Sequence, residues 1–118
     1  MIYLEAVQGY YDGMNKKDLG TIAKYLHDTI HMRGPFLEKK DKRTVLESTP
    51  NFFPYYGHFE IKSMTDLQDR VLVEYEIHSP APTPIFKAIS VIRFQDNLIS
   101  SIDIFSEGSW TQNDHTAH

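Results

Sequence analysis

Asp103 interrupts an otherwise apolar segment running from Leu98 to Glu107, and the Asp96-Asn97 pair just before it tolerates the positive φ of a tight hairpin. A two-residue turn there pairs Gln95 with Leu98, and the same register sets Asp103 opposite Ser90 on one face. A carboxylate in apolar surroundings has its pKa raised by desolvation, which suits a general base or acid near neutral pH, while a serine hydroxyl can donate one hydrogen bond. The structural alternative is an aspartate neutralised inside the sheet by Arg93, Arg33 or Lys87. Tyr10 falls on the apolar stripe of the first helical segment, where its ring fills apolar space and its hydroxyl can donate. A core tyrosine bonded to a backbone carbonyl gives the same pattern. Glu74, Glu76 and His78 alternate along one strand face with the types and spacing of a metal-ligand row. A solvated face produces that row equally well, so no metal and no cofactor are expected. His115 and His118, in a polar tail, add little support for one.

The elements that must position these groups follow from periodicity. Between Met1 and Asn15 the residues Tyr3, Val7, Tyr10 and Met14 recur at helical steps, with Ile2 and Ala6 widening the stripe. Gly9 and Gly13 each cost such a helix about 1 kcal/mol relative to Ala, which points to close approach of a neighbour. Asp18 caps a second helix with Leu19, Ile22, Ala23 and Leu26 inward. Thr29 to Phe36 reads as extended and ends at Pro35, and a third helix starts from Asp41 and stops before Pro50. His31 and Arg33 share one side of that extended segment, with Met32, Gly34 and Phe36 on the other. From Gly57 onward the period becomes two: Phe59 and Ile61, then Val71, Val73, Tyr75 and Ile77, alternate with polar neighbours. The three prolines of Ser79 to Pro84 make that segment a connection, and Ile85 to Gln95 and Leu98 to Glu107 form the final hairpin. Both faces of this hairpin carry apolar side chains, so one is expected to meet the helices and the other a second subunit.

The 118 residues suit one domain, taken as residues 1–110 with Trp110 as a closing anchor and a polar tail at 111–118. Twelve Lys and Arg against sixteen Asp and Glu, a net charge of −4, argue against a nucleic-acid partner. The absence of cysteine excludes disulfides, thiolate metal sites and cysteine nucleophiles. No charged-then-apolar leader or long apolar run occurs, so no membrane contact is expected and the cytoplasm is the default compartment. Helices followed by a run of strands make the class α+β.

The stretch from Val7 to Pro35, V-Q-G-Y-Y-D-G-M-N-K-K-D-L-G-T-I-A-K-Y-L-H-D-T-I-H-M-R-G-P, and the closing strand N-L-I-S-S-I-D-I-F-S-E resemble the NTF2-like superfamily, in particular its ketosteroid-isomerase and SnoaL-like members. The resemblance implies three N-terminal helices packed in a strongly curved antiparallel sheet, a cone enclosing an apolar pocket, with dimerisation through the outer sheet face. It implies a pocket lined by Met32, Phe36, Phe53, Tyr75, Ile77 and Phe105 around Tyr10, Ser90 and Asp103, the last pointing inward. Tyr10 stands where the isomerase pattern has its oxyanion-stabilising tyrosine. The catalytic base of that pattern aligns with Gly34, which can take no proton, and its protonated aspartate aligns with Ser90. Ketosteroid isomerisation is therefore not expected. What the resemblance leaves is a cofactor-independent lyase, isomerase, cyclase or hydrolase for a small apolar molecule, with Asp103 moving the proton, or a non-catalytic domain for ligand binding or dimerisation.

Overall fold

A computed structural model describes residues 2–34, 37–79 and 85–106. The first helix, α1 (Ile2–Lys16), buries Ala6, Val7, Tyr10, Tyr11, Gly13 and Met14, a stripe wide enough to take two adjacent tyrosines. Lys17, with φ 54°, turns the chain, and the Asp18 carboxylate caps α2 (Leu19–Lys24) by accepting from the Thr21 amide and hydroxyl. Leu26 opens β1 (Leu26–Gly34) instead of closing α2, and β1 is followed by the short β2 (Leu37–Lys39). Asp41 caps α3 (Lys42–Phe52), its Oδ1 2.7 Å from the Thr44 amide. This helix does not stop at Pro50. Proline forfeits only its own N–H near the end, and the chain continues into a 3₁₀ turn, Phe53–Tyr55. Four long strands follow among the described residues: β3 (His58–Asp66), β4 (Arg70–His78), β5 (Phe86–Gln95) and β6 (Leu98–Ser106).

The six strands form one sheet in the order β2-β1-β6-β5-β4-β3. The class is α+β with three helices, but the expected cone is corrected: the sheet is open, neither closed nor strongly curled. Its edges are β2 and β3. With only three residues in β2, all paired to β1, no ladder among the described residues joins the two edges. Nor is the sheet wholly antiparallel, since β1 runs parallel to β6, with Met32 beside Ile102 and Arg33 beside Asp103. Parallel neighbours need a long crossover, here the whole path from β2 through α3 to β5.

The core lies between the helices and one sheet face. Val7 of α1 and Ile22 of α2 meet Leu26 and Ile30 of β1, Val71 and Val73 of β4, Ile92 of β5, and Ile99 and Ile102 of β6, all buried. Each such side chain contributes about 1.5–3 kcal/mol. Among the described residues no helix is long and apolar enough to cross a membrane.

Candidate functional site

Strand alternation sends Tyr75 of β4 and Ser90 of β5 to the helix-covered face, where both are buried and the Tyr75 Oη lies 2.9 Å from the Ser90 Oγ. The adjacent Tyr10 and Tyr11 of α1 reach the same layer. Tyr11 is 5.0 Å from the Tyr10 ring and 5.3 Å from that of Tyr75, and Phe59 of β3 sits 5.6 Å from Tyr75. Tyr11 also interacts through its hydroxyl with Ser90 and Tyr75, which makes a small polar island of three hydroxyls inside an aromatic cluster. Burial raises the Tyr10, Tyr11 and Tyr75 phenols above their ordinary range, Tyr10 and Tyr11 well above it. At the cluster's rim Tyr56 donates to the Met14 carbonyl at 2.6 Å, and burial pushes its phenol up to about 12. The Tyr10 hydroxyl makes no hydrogen bond among the described residues, although the side chain is only 6% exposed.

Asp103 does not join this island. The β5–β6 hairpin turns at Asp96 and Asn97, both at positive φ, and pairs Gln95 with Leu98, but a bulge follows: Phe94 faces Ile99 while Arg93 faces Ser101. The extra residue moves every later side chain of β6 to the other face. Ser90 therefore faces Ile104, and Asp103 faces Val91. On the outer face Asp103 Oδ1 accepts from Arg33 Nε at 2.9 Å and Oδ2 from Arg93 Nη1 at 3.3 Å. The inward Asp103–Ser90 pair expected from a simple hairpin is thereby corrected. Phe105 moves with it and stands 45% exposed on the outer face beside Ile89, while Ile102 and Ile104 take the inner positions.

A sequence profile of the SnoaL-like domain family matches residues 7–102. The chain belongs to the SnoaL-like domain family. In fold this SnoaL-like domain is similar to solved NTF2-like proteins. It superposes with a TM-score of 0.79 on an NTF2-like protein of unknown function from Cytophaga hutchinsonii, at 12% identity and covering 93% of this chain and 94% of that one. An LEH-like epoxide hydrolase from M. tuberculosis gives 0.79 at 15% identity, covering 92% and 84%. An uncharacterised cystatin-fold protein from Novosphingobium aromaticivorans gives 0.76 at 18% identity, covering 88% and 97%. At such identities the likeness is one of fold. No curated protein sequence matches the chain.

The other residues singled out from the sequence fall as follows in the SnoaL-like domain. Met32 and Ile77 are buried on the inner face, and Phe53 is half-buried, its ring edge-on to Tyr56 at 6.4 Å. Gly34 also borders the inner face, where a Cβ would meet that of Ile104 at 3.4 Å. Phe36, Trp110 and the 111–118 tail lie outside the described residues. His31 and Arg33 point outward, His31 Nε2 lying 2.8 Å from Glu38 Oε2. Two residues escaped the sequence reading. Tyr11 was hidden by its neighbour, yet it stands four residues after Val7 on the same stripe. Glu60 replaces Glu74 in the outward row: it joins Glu76 and His78 across the β3–β4 ladder, whereas Glu74 accepts from Ser63 Oγ at 2.8 Å.

Proposed function

We propose that this SnoaL-like domain binds a small, mostly apolar molecule through neutral hydroxyl donors and does not catalyse proton transfer. The observation that carries this reading is the placement of Asp103 on the face opposite Ser90, held by two guanidinium groups. With Gly34 at the position of the isomerase base, the described inner face offers phenols and the serines Ser90 and Ser106, and at neutral pH such hydroxyls donate hydrogen bonds without taking protons. Tyr10 supplies a donor not already engaged by a described residue, suited to a carbonyl or phenolic oxygen on the ligand.

Equilibrium dialysis with 2-naphthol and with a 3-ketosteroid tests the reading. Saturable binding of either probe, weakened at least tenfold by Tyr10→Phe, supports it; binding indifferent to Tyr10→Phe removes it. The enzymatic reading draws on the likeness to an LEH-like epoxide hydrolase. Turnover of an epoxide or a ketosteroid above buffer, lost in Tyr10→Phe, would replace binding by catalysis. A homodimer through the outer face of β5 and β6, around Ile89 and Phe105, belongs to the same proposal, and a monomer at micromolar concentration in analytical ultracentrifugation would remove that part.

A further inference from the structure

On the outward face of β3 and β4, far from the phenols in the sheet's layering, the antiparallel ladder sets Glu60 beside Glu76 and His58 beside His78. His78 Nε2 stands 3.0 Å from Glu60 Oε1 and 3.1 Å from Glu76 Oε1, and one ligand atom from each of the three residues lies within 4.8 Å of the others. A divalent ion with tetrahedral bonds of about 2.0–2.2 Å holds its donors about 3.4 Å apart, so the side chains need move only slightly to receive one. The His58 ring stacks on that of His78 at 4.6 Å and 13°, which brings a second imidazole to the same place. All four residues stand at paired positions of one unbroken stretch of the β3–β4 ladder, which lowers the ordering cost of a site.

Charge argues the same way. Glu60, Glu74 and Glu76 share this face with two ammonium groups, Lys87, which stands opposite Glu76 on β5, and Lys62, at 3.1 Å from Glu60 Oε2 and 3.9 Å from Glu76 Oε1. Lys62 is 48% exposed and can swing into solvent. Oxygen-only sites suit calcium and magnesium, whereas imidazole with carboxylates suits late first-row ions.

We infer that Glu60, Glu76 and His78 form a binding site for a divalent transition ion of the zinc class, with Lys62 as its internal competitor. The ion would tie the edge strand β3 to β4, so occupancy stabilises the folded chain by mass action. The sequence expectation of no metal rested on a single-strand row; the cross-strand residue Glu60 changes it.

Zinc chloride is titrated calorimetrically into chelator-stripped protein carrying His115→Ala and His118→Ala, so that tail imidazoles do not compete, with circular dichroism as the folding control. One ion per chain is expected, with a raised melting temperature. His78→Ala and Glu76→Gln each weaken binding by about tenfold or more, and Lys62→Ala tightens it. No saturable binding, affinity unchanged in both ligand variants, or weaker binding in Lys62→Ala would overturn the site. If His78→Ala fails to fold, Glu76→Gln and Lys62→Ala decide.

Discussion

The Tyr75 hydroxyl lies 2.9 Å from the Ser90 Oγ, and the pair is sealed beneath α1 with Tyr11 as third member. Because neither group reaches bulk water, removing one hydroxyl leaves another short of a partner, a cost of about 1–3 kcal/mol. Tyr75→Phe and Ser90→Ala should each lower stability in urea unfolding by that amount. The double variant should cost clearly less than the sum, since the second change removes a group already orphaned. Strict additivity would show that the two hydroxyls are not coupled.

Asp103 bridges Arg33 and Arg93 on the outer face, so its removal leaves two cations facing each other. Asp103→Asn should therefore leave binding of an inner-face ligand unchanged. Its small loss of stability should grow at low ionic strength, where guanidinium repulsion is least screened. A variant that loses ligand binding while remaining folded would return Asp103 to the inner face.

Four phenols, Tyr10, Tyr11, Tyr56 and Tyr75, have raised pKa values in the folded chain, through burial first in every case. Unfolded phenols ionise near pH 10. The stabilising contribution of these groups is thus complete below about pH 10 and is lost as pH climbs toward the folded values, about 12 for Tyr56. Absorbance at the phenolate band should remain incomplete in the folded protein at pH 11 and rise abruptly at the alkaline unfolding transition. Full ionisation of all seven tyrosines before unfolding would contradict this.

How far the sequence specifies the site depends on the range of the interaction. The α1 stripe, the Asp18 and Asp41 caps and the Asp96-Asn97 turn are local, and each is written in residue type and spacing. The bulge in β6 is not. Nothing in Ile99-Ser100-Ser101-Ile102 marks which serine is extra, yet that one residue decides whether Asp103 meets Ser90 or two arginines. The openness of the sheet is likewise a long-range outcome, since it depends on the distant β2 and β3 not pairing. Glu60 entered the His78 cluster only once the β3–β4 register was known, because no spacing within one strand reports a neighbour on the next.

Gly9 and Gly13 both read as places of close approach, and the neighbours they meet separate their roles. A Cβ on Gly9 would run into the far end of the Tyr25 ring, a half-buried side chain that can turn about its own χ angles without a shift of backbone. A Cβ on Gly13 would lie 2.9 Å from Ile22 Cγ1 and 3.0 Å from the Ile22 backbone nitrogen, at the seam where α1 meets α2. That nitrogen is already held by the Asp18 carbonyl at 3.1 Å and cannot retreat without shifting the helix. Alanine improves helix propensity at either site by about 1 kcal/mol, whereas overpacking costs about 1–3 kcal/mol. Gly9→Ala should therefore be close to neutral once Tyr25 moves, and nearer to a gain in a Tyr25→Ala background. Gly13→Ala should be destabilising by about 1–2 kcal/mol in any background that keeps the α1–α2 seam. Urea unfolding of the two single variants and the Gly9→Ala/Tyr25→Ala double variant distinguishes them. Equal losses at both glycines would mean that the ring at Gly9 is as immovable as the backbone at Gly13.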